Sequence, residues 1–414
     1  MATQTNLSIN PRRLWDTIHD TARFGATPKG GLRRLAASAE DRQVRDWLRT
    51  ACEAAGCTVA VDRCGNMFAT YPGRHPDLKP IATGSHLDTQ PTGGKFDGIL
   101  GVLAGLEVIR TFAEMGYQTN APIMVVNWTN EEGSRFAPAM QCSGVYAGAL
   151  AEDAALATPD RDGVTLGEAL EAIGYAGSEP VRPDRFQALF ELHIEQGPIL
   201  EAEGITIGAV QGVQGIRWHE VTLRGQDAHT GATPMGMRRD ALCGMAVVVS
   251  ALQDIGRRHP PGVASVGMVE NRPNSRNVVP GEVFFTADIR HPDEAVLDVM
   301  EAAFLAALAE AAKTNGLVVE QRRNWHSPAI AFDAALIECV KLGAEKAGFT
   351  ARDILSGAGH DAAYIAPLVP TAMIFVPCEG GISHNEIEAA TLADCGAGTQ
   401  VLLNAILEYD ARLG

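Results

Sequence analysis

Two short apolar runs in this chain stop abruptly at clusters of imidazole and carboxylate. Ile81-Ala82 lead into Gly84-Ser85-His86-Leu87-Asp88, with Asp97 shortly after, and Ile123-Met124-Val125-Val126 lead through Asn127 to the adjacent Glu131 and Glu132. A short apolar run bounded by turn signals reads as a buried strand. In open α/β sheets, ligands gather just beyond the carboxyl ends of such strands. Imidazole and several carboxylates converging there have the donor chemistry for a pair of zinc-like divalent ions. A metal-dependent hydrolase on an α/β sheet is the expectation that follows.

The rest of the chain extends this pattern. Helical periodicity covers Pro11 to Phe24 and Ser38 to Ala55, with Ser38 as N-cap, and Val59 to Tyr71 reads as strands around the turn Cys64-Gly65-Asn66. Ile99 to Met115 predicts a helix stopped by Gly116, followed by a strand over Pro122 to Trp128 and a loop over Gly133 to Gly144. A short helix at Leu166 to Ile173 and a strand at Phe186 to Ile194 complete a helix-covered, mostly parallel sheet. After Gln211-Gly212 the texture changes. An alternating strand (Trp218 to Gly225), a helix (Arg239 to Ile255), strands at Val263 to Val269 and Glu282 to Ile289, a helix (Ala295 to Ala312) and a strand (Leu317 to Gln321) suggest a smaller α+β domain. From Ser327 the α/β texture resumes, with a helix at Phe332 to Ala347 and strands near Asp353-Ile354-Leu355 and Thr371 to Val376. The expected division is therefore a larger domain over residues 1–211 and 327–414, with residues 212–326 inserted into it.

Composition narrows the partners. A length of 414 residues exceeds one ordinary core. The net charge of −16 leaves no basic excess for a nucleic acid or an anionic membrane. The eight cysteines form no C-x-x-C pair and suit a reducing compartment. The first ten residues lack a basic segment leading into an apolar core, and no apolar run reaches the roughly 18 residues of a membrane span. A cytoplasmic location is expected. Gly98, Gly101 and Gly105 do not make a dinucleotide fingerprint, and their spacing suits close helix packing.

Spacing alone leaves each candidate residue open. His86-x-Asp88 also fits a surface loop, Asp97 a helix N-cap, and Glu131-Glu132 a solvated loop. His193 and His384, each beside a glycine-rich turn, also suit hydrogen-bonded structural roles. Adjacent acids are tolerated best beside a cation, however. Five such groups at strand ends of one α/β unit favour metal.

Taken together, His86-x-Asp88, Asp97-Gly98, Glu131-Glu132, His193-Ile194-Glu195-Gln196-Gly197-Pro198 and Ser383-His384-Asn385-Glu386 resemble the co-catalytic metallopeptidase-like amidohydrolases. The closer resemblance is to their hydantoinase/carbamoylase branch, the N-carbamoyl-L-amino-acid amidohydrolases. Peptidase relatives usually carry a carboxylate where this chain has His193, which agrees with the carbamoylase branch. The resemblance runs from about residue 10 to the C-terminus.

The resemblance implies two divalent ions (zinc, manganese, cobalt or nickel). His86, Asp97 and His193 would hold one, and Asp97, Glu132 and His384 the other, with Asp97 bridging and Asp88 orienting His86. Glu131 would be general base toward a metal-activated water, and His229 would stabilise the oxyanion. Gln196, Asn277, Arg290 and, through backbone contact, Gly359 would hold a small ureido substrate bearing a carboxylate, with Arg276 a competitor for that carboxylate. The inserted domain would act as a lid and join two copies into a homodimer. The implied reaction is hydrolysis of an N-carbamoyl-L-amino acid to L-amino acid, ammonia and carbon dioxide. β-Ureidopropionate or allantoate are alternative substrates; a dipeptidase or deacylase fits less well, and a non-enzymatic metal-binding scaffold least.

Overall fold

The computed structural model describes residues 7–414, so the reading of the first ten residues falls partly outside it. The chain divides into two compact units. One runs to Gly212 and resumes over Ala331–Gly414, and the other is Val213–Ile330.

The larger unit is built on a sheet whose strand order is Thr58–Val61, Met67–Tyr71, Ile123–Trp128, Ile81–His86, Ala188–Ile194, Thr371–Val376 and Ile207–Val213, with Ala351–Ser356 paired to the last. The four strands from Ile123–Trp128 to Thr371–Val376 run parallel, and antiparallel pairs flank them. All four are buried along their whole length, which is why they read as continuous apolar runs instead of alternating ones. The helices Ile99–Met115 and Leu392–Asp410 pack against this centre and against each other. Gly101 lets the first approach closely, because a Cβ there would lie 2.4 Å from the Leu192 carbonyl oxygen.

Local signals explain most helix ends. The Ser38 side chain accepts the Asp41 N–H, and Gly116 closes its helix in the left-handed conformation. The stretch expected as a loop over Gly133 to Gly144 contains the start of a short helix, Gln141–Tyr146.

The smaller unit has a four-stranded antiparallel sheet in the order Val318–Ser327, Gly215–Arg224, Glu282–His291 and Val263–Arg272. Helices Ala241–Arg258 and Glu294–Asn315 contribute Val248, Leu252, Leu297 and Phe304 to a core shared with Val221, Leu223, Val283 and Phe285. The strand expected over Leu317 to Gln321 extends to Ser327, where Arg322 pairs with Glu220 and Arg323 with Glu301. No helix among the described residues is long and apolar enough to cross a membrane.

Candidate active site

The acidic and imidazole side chains of the larger unit meet beyond the carboxyl ends of its parallel strands. His86 is the last residue of Ile81–His86, and His193 the penultimate residue of Ala188–Ile194. Glu131 and Glu132 follow Ile123–Trp128, and His384 follows Thr371–Val376. Asp97 is not a helix cap: Gly98 occupies that position at φ 67°, and no side chain caps the helix. The Asp97 carboxylate is therefore available to the site.

Two donor groups share Asp97: His86, Asp97 and His193 form one, and Asp97, Glu132 and His384 the other. The two oxygens of Asp97 divide between them. Oδ1 lies 3.2 Å from His193 Nε2 and 3.8 Å from His86 Nε2, whereas Oδ2 lies 3.4 Å from His384 Nε2. His384 Nε2 is also 3.4 Å from Glu132 Oε2. Donors bonded at zinc-like lengths on neighbouring corners of a tetrahedron stand about 3.3 Å apart. Three of these separations match that spacing and the His86 one is wider, so each group has the donor chemistry to hold a divalent ion. Gln196 Nε2 reaches Asp97 Oδ2 (3.1 Å), Ser383 Oγ (3.2 Å) and His384 Nε2 (3.4 Å), placing an amide donor against the second group.

Backbone carbonyls set the imidazoles. His86 Nδ1 faces the Asp88 carbonyl and His193 Nδ1 the Ile194 carbonyl, each at 2.9 Å, which leaves Nε2 of both rings facing Asp97. This changes the expected role of Asp88. Its carboxylate stands 4.0 Å from His86 Nδ1 and instead accepts the N–H groups of Glu131 (3.3 Å) and Glu132 (3.2 Å). The extended chain after His86 brings the Asp88 carbonyl to the ring and the Asp88 carboxylate to the N–H groups of the facing loop. Asp88 thus orients the glutamate pair with its carboxylate and His86 with its backbone.

The electrostatics also call for positive charge. Burial and neighbouring acids, Asp361 and Glu132 for Glu131, Asp97 and Asp88 for Glu132, push both glutamates well above the usual carboxylate range. Burial together with the Asp41 charge raises Asp88 to about 7. Asp97 behaves oppositely. Burial opposes its ionisation, but the hydrogen bond and charge of His193, with His86 and His384, hold it well below its ordinary value. Burial likewise opposes the charged form of His193, yet Asp97 and Glu191 raise it to about 9. A divalent ion among these carboxylates would supply positive charge that favours their ionised forms.

The expected substrate residues fall into separate groups. Gly359 lies in the larger unit, packed so closely on Met140 that a Cβ would meet Met140 Cε at 2.9 Å. His229 and Asn277 come together in the smaller unit. His229 pairs with Val278 in a two-stranded ladder, and the Thr230 N–H donates to the Asn277 carbonyl. His229 Nδ1 accepts the N–H groups of Gly231 and Ala232, both at 3.1 Å, so its proton sits on the exposed Nε2. Arg290 is elsewhere, near the far end of Glu282–His291, with its guanidinium against the Asp288 carboxylate at 2.7 Å. The ladder adjoins the Glu282 end of that strand, where Gly281 N–H donates to Asp227 Oδ1. Eight residue steps separate Glu282 from Arg290, about 26 Å of extended chain.

Sequence reasoning left several members of the site unassigned. His360 is buried, its ring 4.6 Å from that of His193, and with Glu191 and His193 it makes a third donor group. Gln90 holds both oxygens of Glu132, through its N–H at 3.0 Å and its amide at 2.6 Å. Glu388 accepts the N–H groups of Phe96 and Asp97. Only Gly359-His360-Asp361, at the end of a strand, carried a visible signal.

Comparison with known proteins decides the family. The model of peptidase family M20/M25/M40 matches residues 82–408. The chain belongs to this family. It is 47% identical to an N-carbamoyl-L-amino-acid amidohydrolase of Rhizobium meliloti, over 97% of each chain. It is 33% identical to the allantoate amidohydrolase of Escherichia coli, over 94% of this chain and 95% of that one. A crystal structure of a hydantoinase/carbamoylase family amidase from Burkholderia multivorans superposes with a TM-score of 0.93 at 53% identity, covering 97% of this chain and 98% of the other. The M20 chain described here thus shares both the fold and nearly the full length of these amidases.

Proposed function

We propose that this M20 chain hydrolyses N-carbamoyl-L-amino acids to L-amino acid, ammonia and carbon dioxide, at a site that holds two divalent ions. The observation carrying the reading is the division of Asp97 between two donor groups, with Glu131 beside them but in neither. His86, Asp97 and His193 would hold one ion, and Asp97, Glu132 and His384 the other. Zinc, manganese, cobalt and nickel all suit imidazole and carboxylate donors. When bound, such ions supply Lewis acidity toward a substrate carbonyl and toward water.

The chain's own groups do the remainder. Glu131 Oε2 lies 3.5 Å from His86 Nε2. Its carboxylate takes a proton from the attacking water and returns it to the departing nitrogen. His229 offers its Nε2 proton to the oxyanion that forms at the carbonyl carbon. Arg290 pairs with the substrate carboxylate, its guanidinium plane fixed by Asp288, while Asn277, Gln196 and the Gly359 backbone orient the ureido group.

Replacing Glu131 with Gln tests this assignment. Metal content should persist while kcat falls by at least about a hundredfold; near-normal turnover in this variant rules out Glu131 as the base. A substrate panel of N-carbamoyl-L- and D-amino acids, β-ureidopropionate, allantoate and a dipeptide decides the substrate. Allantoate is the second reading, favoured by the Escherichia coli relative, and exclusive dipeptide cleavage overturns both. We further propose a homodimer joined through the smaller unit, whose strand Val263–Arg272 exposes Val263, Met268 and Val269 at the sheet edge. A cytoplasmic location is proposed from eight free cysteines, checked by fractionation.

A further inference from the structure

Glu388 belongs to neither donor group, yet it connects the loops that carry both. One carboxylate oxygen, Oε1, accepts the N–H groups of Phe96 (3.0 Å) and Asp97 (3.1 Å), the residue whose side chain the two groups share. The other, Oε2, accepts the hydroxyl of Ser383 at 2.9 Å, the residue immediately before His384. The same hydroxyl oxygen stands 3.2 Å from Asp97 Oδ2, the oxygen that faces His384. A single carboxylate thus fixes the backbone of one ligand and the neighbour of another. Room for it has been left: a Cβ at Gly94 would lie 2.1 Å from Glu388 Oε1.

The two groups need this connection unequally. His86 and His193 are anchored in buried strands and hold their rings against backbone carbonyls. His384 lies on a loop, with its side chain 51% exposed and its backbone at φ 54°. It has no strand to hold it. Resting on the two-ion reading above, we propose that Glu388 is a positioning residue for the second ion, setting the His384 loop against Asp97 so that His384 Nε2 and Asp97 Oδ2 face a common point. Its reach is through Ser383 and the Asp97 backbone, without contact with substrate.

Titration of the metal-free full-length chain with manganese(II), followed by the electron paramagnetic resonance of the free ion, tests this. Wild type should take up two ions. Glu388→Ala should keep the first at unchanged affinity and weaken the second by about ten- to a hundredfold, the usual cost of losing a group that orients a ligand. In that variant kcat should fall with KM nearly constant, and excess manganese should restore kcat. Glu388→Gln retains an oxygen for the two N–H groups but turns an amide donor on Ser383, so it should weaken the second ion less than Ala does. Ser383→Ala, which leaves Glu388 in place, should weaken the same ion. Equal loss of both ions, tracking a lower thermal midpoint of the metal-free protein, identifies Glu388 as a general stability residue and overturns the proposal. So does an unchanged second affinity in Glu388→Ala and Ser383→Ala. Uptake of only one ion by wild type instead overturns the two-ion reading, and this role with it.

Discussion

The ring of His86 rests on a backbone that only glycine can supply. Gly98 has φ 67°, and a Cβ there would lie 2.3 to 2.5 Å from three atoms of the imidazole. Gly98→Ala should therefore cost about 1–3 kcal/mol from a sparsely allowed backbone conformation and also displace the ring. Urea unfolding reads the first effect. The second appears as a manganese affinity about ten- to a hundredfold weaker at the His86 ion; intact affinity would mean that the ring is not held by this contact. The same pair shows what was legible at this scale. Asp97-Gly98 was readable as a donor beside a helix start, but which residue supplied the cap depended on a φ value that sequence does not carry. The two donor groups that share Asp97 were legible because most of their residues follow strand ends. Gln90 and Glu388 were not, because an acid or amide that holds a donor residue has the same sequence setting as any polar loop residue. Asp88 was readable as a partner of His86, but that its carbonyl meets the ring while its carboxylate accepts the Glu131 and Glu132 N–H groups was not.

Among the elements, legibility followed burial. The strands Ile123–Trp128 and Thr371–Val376, buried on both faces, and the helix Ile99–Met115 with its glycine stop were plain. The helix Leu392–Asp410 was missed, because Cys395 to Thr399 and Val401 to Leu403 are buried consecutively and leave no periodic polar face. The strand Val318–Ser327 was read short for the opposite reason: Glu320 to Asn324 are polar, exposed and steadied by cross-strand ion pairs. The missed helix has an anchor that can be tested. Asp410, buried at its last turn, accepts the N–H groups of Asn120 (2.7 Å) and Ala121 (2.8 Å) just before Ile123–Trp128, and its carbonyl accepts the Asn120 amide. Asp410→Ala removes both side-chain acceptors and should lower stability by about 2–4 kcal/mol, with two donors left unpaired. KM and kcat of the folded fraction should not change. A urea midpoint equal to wild type would show that water satisfies these donors.

At the scale of the molecule, the smaller unit poses a problem of reach. The ladder holding His229 and Asn277 adjoins one end of Glu282–His291, and Arg290 stands near the other, about 26 Å of extended strand away. A substrate with a ureido group and a carboxylate is far shorter than that. If His229 and Arg290 both act on one molecule, they must come from different copies of the chain, whichever copy provides the ions. The homodimer then becomes part of the catalytic proposal instead of an addition to it. Mixing two inactive variants, His229→Ala and Arg290→Ala, distinguishes the cases. In a hybrid dimer, action across the interface gathers both defects into one site and leaves the other intact. After statistical exchange of equal amounts, half the dimers are hybrids, so activity should recover to about a quarter of wild type for a two-fold symmetric pair. If both residues serve the same copy, every hybrid site keeps one defect and no activity returns. Mixing two different His229 variants provides the control, because no hybrid of those can assemble an intact site under either arrangement.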